Sequence, residues 1–321
     1  MKIHRWLDLK VTRRCNNYSH RCGYCEVAID PVSAPEQLPL ETIHRCLLDA
    51  RAMGFDIFWL LGGEPSIRED ADHLIAPLAE DPAVMLTIVT NGKKRAQKMY
   101  LGLFATKAKR ACIQVSLDTL TPNNFKRVDP AQSLRLITDL HGMAKEFSHD
   151  HHCCEVEVHC VISRENLCNF DEFARFCGAK GIPVSLAMVC PWKESVEPAR
   201  FNEFTRAELL SICERIEVLR TGLPIDTFNP FVAAFVRSLL QQSRSETIRS
   251  CGAGLTHLVI NGDGTVHRCM AESFRRETAL GNIRTQRLHH VLHQVDQPRL
   301  CKTRADCFDG YAWDRLSLGE T

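Results

Sequence analysis

Residues 6–25 read WLDLKVTRRCNNYSHRCGYC, a short alternating run followed at once by three cysteines in one loop: Cys15, Cys22 and Cys25. WLDLKVT (6–12) has the period of a strand, so the thiols fall just past its C-terminal end. The same unit, a strand-like run and then an amphipathic stretch, recurs down the chain. A helix is expected over 41–54, closed by Gly54, then a strand over 56–62 and a helix around 69–80. Strands follow at 84–92, 111–118, 154–163 and 182–190, separated by helices at about 94–108, 131–147 and 170–180. Six β/α repeats predict an α/β fold, a partial (β/α)6 parallel barrel. Barrels of this kind carry their chemistry at the C-terminal strand ends, where the three cysteines lie.

The rhythm stops after residue 191. A loop, PWKESVEPARFN, leads to helices at about 206–221 and 230–243, and from Cys251 onward come short strands, turns and cysteines. LVINGDGTVHRC (258–269) predicts a hairpin turning at Asn261-Gly262-Asp263-Gly264. The expected division is a barrel over 1–222 and a small cysteine-rich α+β domain over 223–321.

The 321 residues include 40 basic and 39 acidic side chains, a net charge of +1 that gives no electrostatic reason for a nucleic-acid or membrane partner. No apolar run reaches the roughly 18 residues of a membrane span, and the N-terminus lacks the apolar core of a signal peptide. A cytoplasmic protein is expected. Its sixteen cysteines therefore point to metal or redox chemistry rather than to disulfides. Cys46, Cys112, Cys177 and Cys213 sit inside apolar patterns and read as core.

Three thiolates ligate three irons of a [4Fe–4S] cluster and leave the fourth open to a small chelating ligand. A zinc loop completed by His20 is the alternative. Gly62-Gly63-Glu64-Pro65 ends the second strand; its glycines allow a close backbone approach, and Glu64 offers a carboxylate or carbonyls to an ammonium. Near the other terminus Cys251, Cys269, Cys301 and Cys307 supply four thiolates, enough to saturate a [4Fe–4S] cluster or to hold zinc.

Over about residues 5–190 the chain resembles the radical S-adenosylmethionine (SAM) superfamily. The resemblance rests on the three-cysteine loop, Gly62-Gly63-Glu64-Pro65, Thr90-Asn91-Gly92 and Val115-Ser116-Leu117-Asp118. It implies a [4Fe–4S] cluster on Cys15, Cys22 and Cys25, with the methionine amino group of SAM at Gly62, Gly63, Glu64 and Pro65. It also implies Tyr24 against the adenine, and Asn91, Ser116 and Asp118 among the cofactor-binding positions. By the same resemblance SAM is cleaved reductively to a 5′-deoxyadenosyl radical, which oxidises or modifies a small-molecule or peptide substrate. An electron donor such as flavodoxin or ferredoxin is then needed.

One feature departs from the family pattern. Cys15 and Cys22 are separated by six residues instead of three, which leaves open the cleavage of another C–S bond and transfer of another part of SAM. The C-terminal cysteines resemble SPASM and the shorter twitch extensions, whose C-x9–15-G-x4-C signature is met by Cys251, Gly264 and Cys269. With only Cys301 and Cys307 remaining, the twitch type with one auxiliary cluster is implied. Cys190, ending the sixth strand, is either a hydrogen-atom donor or a core cysteine. Arg164 and Asn166 are SAM contacts by position only, and residues 148–154 (SHDHHCC) read as a polar turn. The non-enzymatic alternative is a zinc-stabilised β/α binding module.

Overall fold

The structure is a computed structural model that describes residues 4–17, 22, 25, 37–93, 96–121, 129–149, 152–188, 204–224, 227, 228, 236, 253–270, 272–274 and 278–293. Six parallel strands lie side by side in chain order: β1 (Trp6–Thr12), β2 (Ile57–Gly62), β3 (Met85–Thr90), β4 (Arg110–Ser116), β5 (Cys153–Ile162) and β6 (Val184–Met188). Between them run α1 (Leu40–Ala52), α2 (Gln97–Phe104), α3 (Pro130–Phe147) and α4 (Phe170–Lys180), and α5 (Arg206–Gly222) follows β6. This is the expected partial (β/α)6 barrel.

Local chemistry accounts for the element ends. Helix α1 buries Ile43, Cys46, Leu47 and Ala50, spaced three and four apart along one face. Asp129 caps α3 by accepting from the Ala131 N–H, with Pro130 at the first helical position. Gly181 ends α4 in the left-handed region at φ 64°. Thr205 and Glu208 close a reciprocal capping box on α5.

One expected helix is absent. Residues 65–78 form three short 3-10 turns, Pro65–Ile67, Ala71–His73 and Ala76–Leu78, where the pattern predicts a helix around 69–80. Pro77 has no N–H to extend an α-helix through this stretch. Arg68 also grips Asp70 with both ends of its guanidinium, at 2.7 Å each. Leu74 and Leu78 are nevertheless buried, so the apolar positions serve the core without the helix.

The C-terminal hairpin joins the same sheet. Strand β7 (His257–Ile260) pairs parallel with β1, Trp6 opposite His257 and Leu9 opposite Ile260. Antiparallel β8 (Thr265–His267) and β9 (Gly281–Asn282) follow, giving the order β6-β5-β4-β3-β2-β1-β7-β8-β9. The sheet is therefore continuous across residue 222. A short helix α6 (Leu288–Leu292) then docks on α1: the Asp49 carboxylate accepts from Arg287 Nε at 2.8 Å and from the Leu288 N–H at 3.1 Å.

Strand alternation separates the two faces of the sheet. Leu7, Leu9, Val11, Phe58, Leu60 and Ile113 are fully buried in the apolar cluster shared with the helices; each such side chain contributes about 1.5–3 kcal/mol relative to exposure. The opposite face is mixed, carrying Asp8, Lys10 and Thr12 on β1 and Gln114 and Ser116 on β4 beside Trp6, Trp59 and Leu61. No described helix is long and apolar enough to cross a membrane. The helix expected at 230–243 lies outside the described residues, apart from Val236.

Candidate functional site

The site begins where β1 ends. The Thr12 carbonyl accepts the Gly63 N–H and the Arg14 carbonyl accepts the Glu64 N–H, each at 2.8 Å. The Thr12–Arg14 backbone is thereby laid against the turn that ends β2. A Cβ on Gly62 would collide with the Thr12 carbonyl, and one on Gly63 with that of Arg14; Gly62 also has φ 146°. These glycines admit the chain's own backbone, where the sequence suggested room for a ligand. On the other side Gly262, in the β7–β8 turn, lies so close that a Cβ there would stand 2.8 Å from Arg13 Cγ. Two glycine turns thus hold the start of the cysteine loop from opposite sides.

Cys15 is buried, and Cys22 and Cys25 are half-buried. The Cys25 N–H donates to the Cys22 carbonyl at 2.9 Å. Burial pushes the Cys15 thiol up to about 11; the Asn17 N–H opposes this, and the nearby charges of Glu64, Cys25 and Cys22 add to it. The three cysteines therefore share one electrostatic neighbourhood. Cys15 Sγ accepts from the Asn17 N–H at 3.4 Å and from Asn91 Nδ2 at 3.6 Å. Three sulfurs in one loop, with amide donors on the most buried of them, fit an iron–sulfur cluster. Among the described residues no three His, Cys, Asp or Glu side chains converge closely enough for a single ion.

Glu64 is fully buried. Its Oε1 accepts from Thr90 Oγ1 at 2.8 Å and from the Ser66 N–H at 3.1 Å, and its Oε2 accepts from the Asn91 N–H at 2.6 Å. Burial raises its pKa, while these donors pull it down. The carboxylate thus ties the end of β2 to the end of β3.

Asp118 is used in a similar way one strand further on. Its Oδ1 accepts the Val161 N–H at 2.8 Å, and Asn166 Nδ2 bridges the carbonyls of Asp118 and Val161 at 3.1 and 2.8 Å. Burial pushes the Asp118 carboxyl up to about 8. Ser116, the last residue of β4, is half-buried and stands opposite His159 of β5, which is itself opposite Ser185 of β6. His159 Nδ1 lies 3.3 Å from Ser185 Oγ. His159 escaped the sequence reading, although CEVEVHCV alternates so as to place it on the same face as Ser116.

Other expected positions are distributed differently. Arg164 pairs with Glu208 of α5 at 2.7 Å and lies over the Phe204 ring, so it faces α5. Cys160 is buried beneath the Asp118 carbonyl. His152 is buried, its ring nitrogens against the Phe104 and Ala108 carbonyls and its Nε2 2.9 Å from Cys154 Sγ. Cys269 is buried at the end of the hairpin, and its carbonyl accepts the Ser273 N–H at 3.1 Å. Lys10, buried on β1, reaches Asn261 Oδ1 at 2.8 Å and Ser273 Oγ at 3.0 Å, linking the barrel to that loop. Tyr24, His20, Cys190, Cys251, Cys301 and Cys307 lie outside the described residues.

Residues 9–177 match the radical SAM superfamily, and residues 251–309 match SPASM, an iron–sulfur cluster-binding domain. Molybdenum cofactor biosynthesis protein 1 of Bos taurus is 26% identical over 281 residues, covering 83% of this chain and 41% of its own. A GTP 3′,8-cyclase of Klebsiella pneumoniae is 25% identical, covering 90% of this chain and 92% of its own. The chain thus spans less than half the length of the bovine relative. Among solved structures, Streptococcus suis SuiB bound to its precursor peptide SuiA has a TM-score of 0.70 at 19% identity, covering 95% of this chain and 67% of SuiB. The structure of anSMEcpe with bound AdoMet has a TM-score of 0.61 at 16% identity, covering 94% of this chain and 81% of its own. At such identities the likeness is one of fold. With the cysteine loop, the glycine turn and both family matches in place, the chain belongs to the radical SAM superfamily, as an enzyme with a SAM-binding [4Fe–4S] cluster and a C-terminal iron–sulfur cluster-binding domain.

Proposed function

We propose that the protein uses a SAM-derived radical to oxidise or modify a polar small molecule or a peptide, aided by one auxiliary cluster on Cys251, Cys269, Cys301 and Cys307. The observation that carries this reading is the gathering of Cys15, Cys22 and Cys25 at the end of β1, held against the Gly62–Pro65 turn. When bound, the cluster and SAM together supply a 5′-deoxyadenosyl radical that takes a hydrogen atom from the substrate.

The chain's own part is to hold and orient. Glu64 fixes the turn at 62–65, so recognition of the methionine ammonium falls to backbone carbonyls there rather than to its side chain. By the family resemblance, Tyr24 would be the residue that holds the adenine. Asn91 and Ser116 border the cofactor, and Asp118 keeps the ends of β4 and β5 in register beside it. Ser116, His159 and Ser185, adjacent across three strands, favour a substrate with polar groups. The barrel unit runs to 222 and the cluster-binding unit from 223, consistent with family matches on either side of that point. A flavodoxin or ferredoxin in the cytoplasm supplies the electron.

Relatives named for GTP 3′,8-cyclisation make GTP the first substrate to try, and a short precursor peptide the second. The test is anaerobic reconstitution with SAM and dithionite, followed by mass spectrometry of the nucleosides. 5′-Deoxyadenosine is expected, rising when the right substrate is added. 5′-Methylthioadenosine instead would mean that another part of SAM is transferred, and no nucleoside product at all would overturn the reading.

A further inference from the structure

Asn91 has both ends of its side chain committed, and their arrangement decides which atom faces the cysteine loop. Its Oδ1 accepts the Lys93 N–H at 2.9 Å. That contact fixes the amide orientation, otherwise ambiguous between oxygen and nitrogen. The amide nitrogen is therefore the atom directed at Asn16 Oδ1, 2.9 Å away, and at Cys15 Sγ, 3.6 Å away. The backbone is held just as firmly, because the Asn91 N–H is bound by the buried Glu64 carboxylate, which also takes the Thr90 hydroxyl. The Thr90 hydroxyl in turn accepts the Gly92 N–H at 3.1 Å. A donor so constrained cannot swing away when its acceptor changes charge.

We propose that Asn91 is a positioning residue that raises the reduction potential of the SAM-binding cluster by donating an N–H···S hydrogen bond to Cys15. The inference rests on the proposed role of Cys15 as a cluster ligand. Its physical basis is that adding an electron makes the ligand sulfurs more negative, so a fixed donor on one of them stabilises the reduced state more than the oxidised state. The Asn17 N–H makes a second such bond, but through the backbone, so of these two described bonds it is the Asn91 bond that truncating a side chain removes. Glu64 acts in the same network from behind, by holding Asn91 in place without touching the sulfur.

The experiment is an EPR-monitored redox titration of the anaerobically reconstituted full chain, following the signal that changes when SAM is added. In Asn91→Ala the ratio of reduced to oxidised cluster at a fixed solution potential should fall about tenfold, or ~59 mV for one electron. The SAM-insensitive signal of the auxiliary cluster should titrate as in the wild type. Asn91→Ser, with a shorter donor, should fall between the two. Asn16→Ala removes the neighbouring contact but spares the bond to sulfur, and should leave the ratio within about twofold.

An unchanged ratio in Asn91→Ala overturns the proposal. So does an equal shift in Asn16→Ala, which would make loop geometry the cause, and so does an Asn91→Ala protein that assembles no SAM-responsive cluster, which would assign Asn91 to assembly instead. A wild-type protein without any SAM-responsive signal is a different result: it removes the functional reading itself, before Asn91 is reached.

Discussion

The carboxylate of Glu64, fully buried at the end of β2, accepts the backbone N–H of half-buried Asn91, at the end of β3, across 2.6 Å. Through this bond two strand ends become one rigid edge, and the Asn91 side chain reaches from that edge to the cysteine loop. Glu64→Gln keeps the shape but sets an amide N–H against a backbone or hydroxyl donor. We expect a loss of about 1–3 kcal/mol, read as a lower urea midpoint of the apoprotein at unchanged slope.

Gly63→Ala tests the squeeze on the cysteine loop. Its Cβ would collide with the Arg14 carbonyl, and backbone cannot move aside as a flexible side chain does. The Thr12–Arg14 segment must then leave the β2 turn and take Cys15 with it. Iron after reconstitution should fall from about eight to about four per chain, the difference of one [4Fe–4S] cluster, with the auxiliary cluster retained.

Arg68→Ala removes a buried guanidinium that donates to the Val11 and Leu38 carbonyls, at 2.8 and 3.0 Å, and pairs with Asp70. Two buried acceptors and a partner charge are left behind, at a cost of about 2–5 kcal/mol. Arg68→Lys should recover only part of this, since an ammonium cannot span the same four acceptors. Denaturant melts of the three proteins check the order.

Asp118 gives a dependence on pH. Its folded-state carboxyl is pushed by burial from the usual 3.8 up to about 8. Below pH 4 both folded and unfolded chains are protonated there. Between about 4 and 8 the folded chain keeps a proton that the unfolded chain has lost, so stability falls as pH rises, by at most about 1.4 kcal/mol per unit. Above about 8 the contribution is flat. Asp118→Asn keeps an oxygen for the Val161 N–H and should flatten this part of the curve, measured as urea midpoints from pH 5 to 9.

The strands were legible because a parallel barrel repeats one short pattern, and all six appear within a few residues of their expected places. The helix around 69–80 was misread because Leu74 and Leu78 keep a helical spacing that Pro77 and the Arg68–Asp70 pair break. The cysteines and the glycine turn could be found from their positions after β1 and β2. The direction of Glu64 could not, since spacing says where a carboxylate stands in the chain but not that Thr90, Ser66 and Asn91 have already claimed it. Nor could the pairing of β7 with β1, which joins residues some 250 positions apart and leaves no local pattern.

The most direct measurement of the central claim is electron–nuclear double resonance on the reduced protein with SAM labelled with 15N at its amino group. If Cys15, Cys22 and Cys25 hold a cluster whose fourth iron faces the Gly62–Pro65 turn, the spectrum will carry a 15N coupling that vanishes in Cys22→Ala. A reduced cluster with no such coupling, or a colourless protein whose loop holds one zinc ion, would contradict it.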